Sequence, residues 1–141
     1  MITRVFLDTN VFVYAFEFPN SNSAKIIDLL NKGKIEVVIS ERVLKEVVKY
    51  FQKYYNIGLA RPYRRYLLES CIVVQRGSVL YEIEEYKDKI KEKDVEQIAV
   101  VKKVGIKYLV AYDRDFKDFE EYVTPREFLE IMKIKSEETE Y

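Results

Sequence analysis

The chain has 141 residues, the length of one domain, and its 48% apolar content is enough to fill a sizeable core. Its 24 basic and 24 acidic side chains cancel, which excludes a globally basic nucleic-acid binder. No histidine and a single cysteine exclude an internal disulfide, imidazole metal ligands, and Ser-His or Cys-His nucleophile pairs, and leave acid–base chemistry to carboxylates, Lys, Tyr or metal-acidified water.

The opening residues 1–4 lead into the apolar run Val5-Phe6-Leu7, which stops at Asp8. The run is too short for a signal peptide or a membrane span, so a cytoplasmic protein without membrane association is expected. It reads as a buried strand, followed by a short helix over 11–18. The polar turn 19–23 precedes a helix carrying Ile26, Ile27, Leu29 and Leu30 that stops at Gly33. Residues 35–39 form the second strand. Ser40 caps a helix with Val43, Leu44, Val47, Val48 and Phe51 on its apolar side. A helix over 58–70, with Pro62 near its first turn, runs into a strand at 72–74, with Cys71 as a half-buried thiol at the junction. Helices follow over 78–90 and 94–104, the latter ending at Gly105, then a strand over 108–111 and a short fifth strand at Tyr122-Val123. Thr124, Pro125 and Glu127 combine a cap, a first-turn proline and a capping-box acid at the start of the last helix. No linker divides the chain. One domain over 1–135 with a frayed tail over 136–141 is expected.

Strands separated by helices require crossover connections and hence a parallel sheet. The strands are apolar on both faces, as in a sheet covered by helices on each side. In such sheets the ligand site lies beyond the carboxyl ends of the strands. Asp8 follows the first strand and Asp113 and Asp115 follow the fourth, so they should share one edge. Each also suits a bland role: Asp8 as a helix cap, Asp113 and Asp115 in a polar turn. Asp94 and Gln97 have capping-box spacing. Yet their helix is apolar around most of its circumference and must be buried, which turns Asp94 toward the sheet. Glu46 flanks the apolar stripe of its helix, and is equally placed to pair with Arg42 or Lys49. Four carboxylates in one cleft repel each other unless a divalent cation joins them, and Mg²⁺ suits oxygen-only ligands.

The pattern resembles the PIN-domain ribonuclease family. Its elements here are Val5-Phe6-Leu7-Asp8-Thr9-Asn10, Ser40 to Glu46, Asp94 to Ala99, and Leu109-Val110-Ala111-Tyr112-Asp113-Arg114-Asp115-Phe116, spread over residues 3–130. The resemblance implies a three-layer α/β/α sandwich with a central parallel sheet of four to five strands. It implies a Mg²⁺- or Mn²⁺-dependent endoribonuclease whose metal activates a water. Asp8, Glu46, Asp94 and Asp113 would be its catalytic acids; Asp8, Asp94, Asp113 and Asp115 would hold metal, and Asn10 would orient the first ligand. Small members are similar to the VapC-type toxins of VapBC toxin–antitoxin pairs, which implies a homodimer and a small antitoxin partner. Ala111 departs from the Thr or Ser common at its position, which keeps open a non-catalytic RNA- or protein-binding module. For RNA, the cation–aromatic run 61–66 and the stripe Lys45, Lys49, Lys53 stand out. Lys45, Lys49, Arg61, Arg64 and Arg65 are the candidate contacts, and a solvated helix face is the competing reading.

Overall fold

The structure, a computed structural model, describes residues 2–139 and Tyr141. Met1, in the expected domain, and Glu140, in the expected tail, lie outside the described residues. Along the chain run β1 (Thr3–Leu7), α1 (Thr9–Glu17), α2 (Asn22–Asn31), β2 (Ile35–Ser40), α3 (Glu41–Tyr54), α4 (Ile57–Ser70), β3 (Cys71–Val74), α5 (Leu80–Tyr86), α6 (Glu92–Val104), β4 (Tyr108–Val110), β5 (Tyr122–Val123) and α7 (Pro125–Ile131).

The five strands pair in the order β3-β2-β1-β4-β5, all parallel. β1 therefore sits at the centre, and Val5, Phe6 and Leu7 are fully buried in it. The first two crossovers carry the chain outward from β1 through β2 to β3. The third returns it past β1 to β4. Right-handed crossovers then place α1 to α4 on one face and α5 and α6 on the other, and the packing of α1 on α2 and α3, α3 on α4, and α5 on α6 follows this division. The result is the expected α/β/α sandwich, and its topological switch falls between β1 and β4.

Local sequence explains most of the element boundaries. Ser40 Oγ accepts the Val43 N–H at 3.1 Å, and Ser21 Oγ accepts the Ala24 N–H at 3.0 Å. Thr124 and Glu127 form the reciprocal capping box at α7. Gly105 closes α6 at φ 77°, a left-handed conformation that glycine adopts without steric cost.

Four local expectations are corrected. The helix expected over 78–90 is a 3₁₀ turn, Arg76–Val79, followed by the shorter α5. Pro62 lies in the second turn of α4, because Asn56 caps that helix through the Leu59 N–H and starts it earlier. α6 starts at Glu92 with Lys91 as its cap, so Asp94 stands inside the first turn and its carboxylate is not spent on capping.

The fourth concerns the segment after residue 135, expected to fray. Asn22, fully buried at the start of α2, donates from Nδ2 to the Glu137 carbonyl at 3.1 Å, and its Oδ1 accepts the Glu137 N–H at 2.7 Å. Ser23 N–H donates to the Tyr141 carbonyl at 3.1 Å, and the Tyr141 ring stacks on Phe18 at 4.9 Å. A buried carboxamide needs backbone partners, and this segment supplies them. Asn22→Ala would leave those tail groups unpaired, at a cost of about 1–3 kcal/mol. A lower melting temperature and faster carboxypeptidase trimming than in the parent chain are expected; unchanged trimming would count against an anchored tail.

Candidate metal centre

The strand order brings the ends of β1 and β4 together. Leu7 pairs with Val110, and the Asp8 N–H donates to the Val110 carbonyl at 3.0 Å. Asp8 and the 113–115 turn thus leave the sheet side by side. α6 delivers Asp94 to the same place, and α3 delivers Glu46.

Three of these acids form a tight group. One carboxylate oxygen each from Asp94, Asp113 and Asp115 lie within 4.8 Å of one another. Asp113 is positioned by its own turn, Oδ1 accepting the Asp115 N–H at 2.9 Å. Asp8 and Glu46 border the group, and their charges act on Asp94 or on one another. Asp8 is buried, and burial pushes its carboxyl up to about 7; the Thr9 N–H and the Gln97 carboxamide lower it, while Glu46 and Asp94 raise it further. Burial likewise pushes Asp94 up to about 6, with Lys93 opposing and Asp113, Asp115 and Glu46 adding to the rise. Asp113 behaves differently. Burial raises it, but the Asp115 N–H and Lys93 outweigh that and hold it below the usual carboxylate range.

The chain only partly compensates this charge. Lys93 Nζ stands 3.3 Å from Asp113 Oδ2 and 4.0 Å from Asp94 Oδ2, and Lys91 Nζ stands 3.0 Å from Asp115 Oδ2. Asp94 Oδ2 is nevertheless buried with no hydrogen-bond partner, as is Gln97 Oε1. Clustered oxygens, one left unsatisfied, with no nitrogen or sulfur donor, fit a hard divalent cation such as Mg²⁺ or Mn²⁺ and do not fit structural zinc. Asp94, Asp113 and Asp115 are the residues able to hold it.

The expected residues do not all come together. Asn10 is exposed on the first turn of α1; its neighbour Thr9 makes the contact across the site, donating from Oγ1 to Glu46 Oε1 at 2.7 Å. Asp8 precedes α1 at the cap position, but its side chain caps neither of the usual N–H groups. Arg61, Arg64 and Arg65 are exposed on α4, and only Arg64 lines a cleft with Lys45 and Lys49. Tyr63 and Tyr66 from the same run are packed, Tyr63 on Phe51 at 4.4 Å and Tyr66 against Asn31.

Sequence reading missed Thr9, Lys91, Lys93, Glu96 and Gln97. The sequence alone gives Glu96 no role and Gln97 only that of a capping-box partner, yet they are 2% and 1% exposed. Glu96 Oε2 accepts the Arg42 N–H at 2.7 Å and Oε1 accepts from Arg76 at 2.9 Å, which ties α6 to the start of α3. This bond fixes the spacing between the helices that carry Asp94 and Glu46. The available signal was that a helix apolar all round has no solvent face, so its polar side chains must find partners inside.

A family model described as the PIN domain matches residues 5–122. No curated protein sequence matches the chain. Among solved structures, a toxin–antitoxin complex from Klebsiella pneumoniae is similar at 18% identity and TM-score 0.69, covering 86% of this chain and 97% of its own. VapBC2 from Rickettsia felis, bound to a DNA fragment from its promoter, is similar at 18% identity and TM-score 0.67, with the same 86% and 97% coverage. VapC20 from Mycobacterium tuberculosis, a sarcin-ricin-loop-cleaving toxin, is similar at 20% identity and TM-score 0.61, covering 81% of this chain and 93% of its own.

The raised acids make a stability prediction. Burial pushes Asp8 up to about 7 and Asp94 up to about 6 in the folded chain, well above the ordinary carboxylate range, so the folded state keeps protons that the unfolded state has released. Stability without divalent metal therefore falls as pH rises from about 4 to about 7. Asp8→Asn removes the buried charge and is expected to melt higher than the parent at pH 8 in chelator, with a flatter pH dependence. A variant that melts lower there, with an unchanged pH slope, would contradict this electrostatic account.

Proposed function

Because the chain belongs to the PIN-domain family, a family of nucleases, we propose that it is a Mg²⁺- or Mn²⁺-dependent endoribonuclease. The observation that carries this reading is the convergence of Asp94, Asp113 and Asp115 within 4.8 Å, with an unsatisfied buried oxygen on Asp94. Asp94, Asp113, Asp115 and Asp8 would hold the cation. When bound, the cation neutralises charge on the phosphoryl oxygens and makes water a stronger nucleophile at neutral pH. Glu46 has one oxygen held by Thr9 Oγ1 and its other, Oε2, 3.8 Å from Arg42 Nε. That second oxygen takes the proton of the attacking water. Lys93 and Lys91 are internal counter-ions, and their ammonium groups turn to the substrate's phosphates once the acids are compensated. Asn10 completes the first turn beside Asp8. Lys45, Lys49, Arg61, Arg64 and Arg65 supply further cations for RNA.

The likeness to toxin–antitoxin structures supports reading the chain as a toxin that forms a homodimer, binds a small antitoxin and acts in the cytoplasm. No described helix is long and apolar enough to cross a membrane. One observation favours the alternative of a non-catalytic RNA- or protein-binding module. Ala111 is fully buried next to the acidic turn and offers no hydroxyl to a carboxylate.

Cleavage of a labelled RNA in Mg²⁺ or Mn²⁺, set beside Mn²⁺ titration by calorimetry, separates the two. Under the nuclease reading chelator abolishes cleavage, Asp94→Asn loses both cleavage and the binding heat, and Glu46→Gln cleaves about 10²- to 10⁴-fold more slowly. Cleavage that survives chelator, or persists undiminished in Asp94→Asn, would refute the metal mechanism. Metal binding without cleavage would favour the module.

A further inference from the structure

On α3, Glu46 heads a line of side chains at Lys49, Tyr50, Lys53 and Tyr54. Positions i, i+3, i+4, i+7 and i+8 share one helix face. The fully buried contacts of α3 lie elsewhere on its circumference, at Val43, Leu44, Val47 and Phe51; of the line only Tyr50 packs against the core, so packing does not account for Lys49, Lys53 and Tyr54. Lys49, Lys53 and Tyr54 are exposed, and a cleft of about 550 Å³ runs beside them, lined by Arg42, Lys45, Glu46, Lys49, Tyr50 and Lys53.

The cations of this cleft differ. Arg42 and Lys45 have carboxylate partners. Lys49 and Lys53 pair with none among the described residues. Lys53 Nζ instead lies 5.2 Å from the Tyr54 ring centroid. Tyr50 and Tyr54 stand 4.8 Å apart with planes tilted 43°, and Tyr54 is 60% exposed. Glu17 Oε1 accepts the hydroxyls of Tyr50 and Tyr55, each at 2.6 Å, which clips the end of α3 and the following turn to α1. Tyr50, the inner ring of the aromatic step, is thus ordered before any ligand arrives, and Tyr54 leans on it from the solvent side.

We infer that this face of α3 is a track for an unpaired RNA strand, with phosphates on Lys49 and Lys53 and a base on the Tyr54 ring, leading to Glu46. The inference rests on the nuclease reading for its choice of polyanion. Cations without a carboxylate partner recognise phosphates, and an exposed ring beside them takes the face of an unstacked base, which a duplex keeps hidden. Glu46 and Tyr54 are eight residues apart, about 12 Å along the helix at ~1.5 Å per residue. That is the length of about three to four stacked nucleotides at ~3.4 Å each. The run 61–66 offers no equivalent, because Tyr63 and Tyr66 are committed to packing.

The test is binding of a fluorescein-labelled, unpaired twelve-nucleotide RNA by the full chain, read by anisotropy in chelator over a series of KCl concentrations. Tyr54→Ala is expected to weaken binding about 10-fold without changing the salt dependence. Lys49→Ala with Lys53→Ala is expected to flatten the slope of log K against log[salt] by about 1.4, at ~0.7 per phosphate. The same sequence as a duplex should bind more weakly. All three positions are exposed, and equal melting temperatures confirm that the variants fold. Duplex binding as tight as single-strand binding, unchanged affinity in Tyr54→Ala, or an unchanged slope in the lysine variant would each overturn the track. A chain that binds with this pattern but never cuts RNA upholds the track and refutes the nuclease reading. A chain that cuts RNA while these variants bind as the parent does the reverse.

Discussion

Carboxylates crowded at the carboxyl edge of a buried strand cannot all stay charged without a compensating cation. Asp8 emerges from a strand whose side chains are fully buried, and Asp94 emerges from a helix that is buried over most of its length. Water reaches neither well. Burial raises both acids, and their neighbours Glu46, Asp113 and Asp115 raise them or act on each other. The fold holds this repulsion in place because the acids sit on elements whose positions are set by the core. Val5, Phe6 and Leu7 anchor β1, and Ile98 to Val101 anchor α6. Rigid support for an electrostatically strained cluster is the condition under which a divalent ion binds with gain.

Polar bonds between elements then set the geometry. Glu96 ties α6 to the first turn of α3 and to Arg76, and Thr9 ties the first turn of α1 to Glu46. These bonds have little to do with the acids' own charge, yet they determine how far apart the acids stand. Lys91 and Lys93, at the start of α6, pair with Asp115 and Asp113 through flexible stems and so compensate part of the cluster's charge. The asymmetry between Asp113, held low by a backbone N–H and Lys93, and Asp94, left with an unsatisfied oxygen, follows from this placement.

The C-terminal segment shows why composition misleads about order. Residues 136–141 are polar and charged and carry no periodicity, so they read as frayed. Asn22 is buried, however, and a buried carboxamide demands both a donor and an acceptor; the Glu137 backbone provides them. A similar inversion applies to the aromatics. The run 61–66 looks like a stacking platform by composition, but its tyrosines face the core side of α4. The exposed ring belongs to Tyr54, on the helix that carries Glu46.

Short-range physics was legible in the residues themselves. The apolar runs, the caps at Ser40 and Thr124, the stop at Gly105 and the alternation of strand and helix depend on neighbours within one or two turns, so the α/β class and a sheet of four to five strands followed directly. The rule that ligands sit beyond strand ends singles out Asp8 and Asp113 from the sequence. Strand order was not legible, because pairing of β1 with β4 joins residues about a hundred positions apart and leaves no local trace. Only the tertiary structure placed the topological switch between those strands, started α6 two residues before Asp94, buried Glu96 and Gln97, and set Thr9 against Glu46 across the site. Each of these depends on what packs against an element, which the element's own periodicity does not encode.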